Sequence, residues 1–175
     1  MTKYIAFLRG INVGKIRIKM ADLKLAFANM GCKNVQTYLQ TGNVVFNADL
    51  PINDLKNKLE KGLFETFHYE AFVQLYLFET LEDIILKYPM EREETHHAYI
   101  IFIDTEAAFE ELKNIAAELG EESKYIKHGD GLLYWKVPKG QTLDVPFAKI
   151  IAKAKYKSSV TVRNINTLEK MVERK

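Results

Sequence analysis

Residues 9–20 read RGINVGKIRIKM and follow an apolar run, so Gly10, Gly14 and Lys15 stand where a phosphate-gripping loop would sit. Such a loop needs G-x-x-x-x-G-K-[ST] running directly into a helix, because backbone N–H groups wrap the phosphates, the lysine reaches the terminal ones and the hydroxyl binds magnesium. Here three residues rather than four separate the glycines, Ile16 replaces the hydroxyl residue, and the alternating IRIK keeps the chain extended after Lys15. The chemistry of a nucleoside-triphosphate loop is therefore excluded. What survives is a donor-rich rim of Arg9, Asn12, Lys15, Arg17 and Lys19, or more simply a strand-to-helix turn with solvated lysines.

Two other stretches are as rich in donors: QTGN at 40–43 and RNINT at 163–167. Core packing does not need so many amides and guanidinium groups, and each one left buried without a partner costs about 1–3 kcal/mol. Arg9, Asn12, Gln40, Asn43, Arg163 and Asn164 are expected to converge between two halves of the chain on a phosphate-bearing or carboxylate-bearing ligand. The guanidinium fork suits such anions. Plainer roles compete: Thr41-Gly42-Asn43 as a turn, Asn166 or Thr167 as a helix cap, and Arg9 and Arg163 as partners of acidic residues.

Catalytic groups do not declare themselves. His68, His96, His97 and His128 share no ligand spacing, and no G-x-S-x-G string is present. Cys32 has no evident histidine partner and reads as a small buried hydrophobe beside Gly31. Asp104, Asp130 and Asp144 fit turns and helix starts, and Tyr134-Trp135 fits a core strand. The catalytic residues stay unknown, whether the protein is an enzyme stays open, and no metal or cofactor is expected.

The elements that must position these residues follow from periodicity. Residues 3–9 read as a strand; 19–30 as a helix with Met20, Leu23, Phe27 and Met30 on one stripe and Gly31 as its stop. Residues 34–40 alternate Val35, Thr37 and Leu39 inward against Gln36, Tyr38 and Gln40; residues 44–46 resume beyond a turn. A helix opened by Pro51 carries Ile52, Leu55, Leu59, Leu63 and Phe67, and residues 71–78 form another strand. This β-α-β-β-α-β order is the split unit of a ferredoxin-like fold.

Residues 81–89 form a short helix and 90–95 a charged linker, after which the order repeats. Strand 98–104, helix 105–119, a hairpin about Gly129-Asp130-Gly131, a helix over 145–155 and strand 158–163 precede a last helix from about Thr167. An α+β protein of two ferredoxin-like halves with antiparallel sheets is expected: 1–80, a helix and linker over 81–97, and 98–175 with its C-terminal helix.

Hydrophobic residues make up 47% and charged residues 27% of the 175 residues, as in an ordinary globular protein. No apolar run reaches the roughly 20 residues of a membrane helix. The start MTKYIAFLRG has too short an apolar region for a signal peptide, and Cys32 is the only cysteine, so the cytoplasm is expected. The net charge of +2 hides a division: +5 over residues 1–24, −10 over 79–122 and +6 over 148–175. Basic ends attract either the acidic middle or an anionic ligand.

The strings FLRGINVG, KMADL, VQTYLQTGNVVF, YWKVPKG and TVRNINTLEKM together resemble the uncharacterised family called domain of unknown function 1697. Lys15 and Ile165 stand where its members usually carry glycine and tryptophan. The resemblance implies ferredoxin-like halves and brings no established activity. A polar or anionic small-molecule binder, phosphate-bearing or nucleotide-like in its ligand, explains the donors best. A nucleic-acid binder is the alternative suggested by ferredoxin-like sheets, and a partner-binding protein without catalysis is the third. The expected state is a monomer or homodimer away from membranes.

Overall fold

The computed structural model describes residues 1–173, and the chain divides into two compact units, Met1–Leu81 and Glu82–Lys175. In the first, the elements are β1 (Thr2–Arg9), α1 (Met20–Asn29), β2 (Lys33–Tyr38), β3 (Asn43–Ala48), α2 (Ile52–Phe67) and β4 (Phe72–Leu77), with α3 (Phe78–Leu86) following at once. The strands pair antiparallel in the order β2-β3-β1-β4. Leu23 and Phe27 of α1 and Leu55, Leu59 and Leu63 of α2 recur at helical spacing and bury themselves against Ala6, Leu8, Val44, Phe46 and Val73. Burying each such leucine stabilises by roughly 1.5–3 kcal/mol. Phe27 meets Phe46 edge-on with ring centroids 5.2 Å apart.

The second unit repeats the order with other residues. It holds β5 (His96–Ile103), α4 (Glu106–Ala117), β6 (Ile126–His128), β7 (Leu132–Pro138), α5 (Pro146–Ile151), β8 (Val160–Asn164) and α6 (Ile165–Glu173). Its antiparallel sheet runs β6-β7-β5-β8, the same succession as the first. Ile101, Leu112, Leu133, Trp135, Val137 and Phe147 build its core, with Trp135 against Tyr99 and Phe147. The expected α+β fold of two antiparallel halves is the observed one, and Tyr134 and Trp135 are both core residues.

Several boundaries move for local reasons. β2 ends at Tyr38 rather than residue 40, after a register irregularity between Lys33 and Gln36, so Tyr38 is buried and Leu39 is 62% exposed. The helix expected from residue 81 starts at Phe78, directly off β4. The helix expected over 145–155 ends at Ile151 and gives way to a 3-10 turn over Ala154–Tyr156. A 3-10 helix, Gly120–Tyr125, lies between α4 and β6.

Both faces of the inner strands are buried. Ile5, Ala6, Phe7 and Leu8 of β1, Val44, Val45 and Phe46 of β3, and Ile100, Ile101 and Phe102 of β5 are each at most 2% exposed. Among the described residues no helix is long and apolar enough to cross a membrane.

Candidate functional site

In the first unit the donor-rich strings form two loops that lock one another at the end of the sheet. β1 stops at Arg9, and the chain turns through Gly10 and Asn12, both with positive φ. Asparagine tolerates that left-handed conformation better than most residues. The Asn12 side chain then works in both directions: its Oδ1 accepts the Ile18 N–H at 2.7 Å and its Nδ2 donates to the Gln40 carbonyl at 2.8 Å. Ile11 and Ile18, buried in the core, pin the loop from below. From the other side, the Leu8 N–H donates to the Gly42 carbonyl at 2.8 Å.

The second loop is just as constrained. Gly42 sits at φ +77°, and a Cβ there would lie 2.6 Å from Cγ2 of Ile11 and 2.9 Å from Cβ of Leu8. Asn43 is fully buried, and its Nδ2 donates to the Tyr38 carbonyl at 3.0 Å and to Thr41 Oγ1 at 2.8 Å. Leu39 is held at φ +57° with its side chain in solvent. A left-handed leucine costs on the order of 1–2 kcal/mol and persists only where the surroundings over-determine it. The Asn12 latch on the next residue is that surrounding.

The platform so made carries a cation and an apolar rim. The Arg9 guanidinium is half-buried, and burial lowers its pKa from the ordinary arginine value. Val13 is 59% exposed at the neighbouring turn, where the Ile16 N–H donates to the Val13 carbonyl at 3.1 Å. Lys15, Arg17 and Lys19 follow in solvent. Gln40 is exposed as well and enters the network through its carbonyl. Chemically, the platform offers a charged fork, short apolar contacts and fixed backbone groups; it displays no nucleophile–base pair.

Arg163 and Asn164 belong to the second unit, at the end of β8, and are placed by their own bonds. The buried Arg163 donates through Nη1 to Thr161 Oγ1 at 2.7 Å and to the Val162 carbonyl at 2.9 Å, which folds the guanidinium back along its strand. Asn164 Oδ1 accepts the Asn166 N–H at 2.9 Å and so caps α6, which starts at Ile165. The cap expected from Asn166 or Thr167, with a helix from residue 167, therefore lies further back. Asn166 instead receives the guanidinium of Arg92, which also binds Glu169 at 2.9 Å.

Of the six expected ligand residues, the structure brings Arg9, Asn12, Gln40 and Asn43 to one end of the first sheet, with Asn12 and Asn43 engaged in holding loops closed. Leu39 and Val13 escaped the sequence reading. Alternation pointed Leu39 inward, and the only available signal was the glycine three residues beyond it in a T-G-N turn.

Known proteins add the following. A family model described as a protein of unknown function (DUF1697) matches residues 1–134. The conserved bacterial protein SP0830 from Streptococcus pneumoniae superposes with a TM-score of 0.78 at 25% identity, over 99% of this chain and 98% of that one. No curated protein matches.

Proposed function

The chain belongs to the DUF1697 family of proteins of unknown function, and from that premise we propose that it binds a polar or anionic small molecule, phosphate-bearing or nucleotide-like, on the loop platform of its first unit. The observation that carries the reading is Leu39: a leucine held left-handed and exposed on the loop that Asn12 latches, where an unstrained alternative would be simpler. Backbone strain of this kind is characteristically stored where a ligand is gripped. Arg9 supplies charge to the anion, and Val13 and Leu39 supply apolar contact to its organic part. Asn12, Gln40 and Asn43 act as positioning residues. The single buried thiol of Cys32 suits a cytoplasmic setting.

One observation weighs against nucleic acid in the manner of RNA-recognition sheets. Those modules stack bases on exposed aromatic residues of a sheet face. Here both faces of the inner strands are filled, and Phe7, Phe46 and Phe102 are fully buried.

The test is a thermal-shift screen of the whole chain against nucleotides and sugar phosphates, repeated on Arg9→Ala and Leu39→Gly. A ligand at a hundred times its Kd adds about 2.7 kcal/mol of stability. The shift should shrink sharply in Arg9→Ala, and Leu39→Gly should raise basal stability while weakening the ligand response. Shifts unchanged in both variants would refute the platform; salt-dependent retention on heparin with no small-molecule shift would move the assignment to nucleic acid.

A further inference from the structure

Four strands lie at sheet edges, β2 and β4 in the first unit and β6 and β8 in the second. An edge presents a row of unpaired N–H and carbonyl groups, which proteins usually blunt. Three of these edges are blunted. β2 carries a register irregularity between Lys33 and Gln36, with Asn34 at φ +52°. Glu60 Oε1 accepts the Val73 N–H of β4 at 2.9 Å, and Arg163 Nη1 donates to the Val162 carbonyl of β8 at 2.9 Å.

β6 is different. In its hairpin the Gly129 N–H donates to the Leu132 carbonyl at 2.8 Å, and Lys127 stands opposite Tyr134. Hydrogen-bonded pairs alternate along an antiparallel ladder, so the backbone groups of Lys127 face β7 while those of Ile126 and His128 face outward. The Ile126 N–H donates to the Ser123 carbonyl of the 3-10 helix. Among the described residues nothing takes the Ile126 carbonyl or the N–H and carbonyl of His128. A groove of about 750 Å³ runs along this edge, with α4 as one wall. All three residues of β6 line it; their side chains alternate between the two faces of the sheet, so what they share is the edge. No carboxylate lines the groove, and Lys127 and His128 are exposed.

We propose that the open edge of β6 docks an extended acidic segment of a partner protein, which joins the second sheet as a further strand. Strand addition takes its affinity from main-chain hydrogen bonds and its specificity from alternate side chains. The incoming backbone donates to the Ile126 carbonyl and accepts the His128 N–H. A carboxylate on one face of the incoming strand meets Lys127, and one on the other face meets His128, on the side where Ile126 packs with Leu112 and Ala116 of α4. The alternation that keeps Lys127 and His128 apart thus suits a strand, whose own side chains alternate. A second copy offering the same β6 would set lysine against lysine, and like charges across a strand pair are destabilising. This edge belongs to the second unit and is independent of the first-unit platform.

The probe is a blocked hexapeptide of alternating valine and glutamate, titrated into the full chain and followed by two-dimensional NMR. Its valine–lysine counterpart and a copy N-methylated throughout its backbone are run beside it. The glutamate peptide should perturb residues 113–117, 123 and 126–128 and slow hydrogen exchange at the His128 amide at least tenfold, which a side-chain contact alone would not do. The lysine and N-methylated peptides should bind at least tenfold more weakly. Lys127→Glu should reverse the order of the glutamate and lysine peptides. His128→Pro removes the outward N–H at a place where an edge strand tolerates proline, and should weaken binding tenfold while the remaining spectrum stays dispersed. Arg9→Ala should leave all of this unchanged, so failure of either site is read separately. No perturbation of β6 at millimolar glutamate peptide, unaltered exchange at His128, or equal binding of the N-methylated peptide would overturn the proposal. Perturbation of the same residues on dilution alone would assign the edge to a second copy, and by adenosine monophosphate to a small molecule; either result also overturns it.

Discussion

Asn12, Asn43 and Asn164 show what an amide does before any ligand arrives. Each closes a backbone loop: 12 onto 40 and 18, 43 onto 38 and 41, and 164 onto the start of α6. A sequence reveals that such a residue can donate, but not whether its acceptor is a ligand or a carbonyl 28 positions away. The dependence runs the other way at Gly42, which the first loop needs because Ile11 and Leu8 leave no space for a side chain. Gly42→Ala should cost roughly 1–3 kcal/mol in overpacking and about 1–2 kcal/mol more for its left-handed φ. Gly140→Ala, with φ +85° and nothing within 4 Å of its Cβ, should show the conformational part alone. Urea midpoints of the two variants separate the contributions; equal losses would mean that the close approach of the loops is not tight in solution. Cys32 is 4% exposed and burial pushes its thiol up to about 11 against the pull of Lys58, in keeping with a packing role.

At the level of elements, hydrophobic period carried most of the fold. The stripe Leu55–Leu59–Leu63 appears as written, and the hairpin at Gly129–Gly131 closes as its turn residues dictate, the Gly129 N–H donating to the Leu132 carbonyl at 2.8 Å. What period could not carry was the point at which tertiary bonds overrule it. Leu39 continues an alternating strand on paper, yet the latch from Asn12 turns it into solvent. Helix starts also depend on single contacts. Thr105 accepts the Ala108 N–H at 3.3 Å at the head of α4. Thr105→Ala should lower stability by about 1 kcal/mol, read as a downward shift in Tm, while Thr105→Ser should keep most of it. No difference between the two would mean that the cap carries no weight.

Across the whole molecule, acid is expected to act through the second unit first. Hydrogen bonding to Lys136, whose ammonium lies 2.7 Å away, holds the Glu93 carboxyl below the usual range, with His96 also nearby. Hydrogen bonding to Lys155 does the same for Glu111. A carboxyl depressed in the folded state contributes stability that is present above its unfolded pKa and lost as pH falls through the folded value. Stability should therefore be level near neutrality and decline below about pH 4.3, the unfolded glutamate range. Glu93→Gln should flatten part of that decline in a pH series of urea melts; an unaltered slope would assign it to other groups.

Asn43 has one more consequence, for how the molecule reaches this state. A strand with one wet face can pair in only one way, because slipping by a single residue would drown its oily side. β3 has no such guide, since Val44, Val45 and Phe46 are buried on both faces and a slipped pairing would still look acceptably greasy. The amide of Asn43, sealed from water opposite Tyr38, supplies the missing instruction. In any shifted hairpin it would lose the Tyr38 carbonyl and incur about 1–3 kcal/mol. One polar side chain thus works as a proofreader for the hairpin on which the first-unit platform stands.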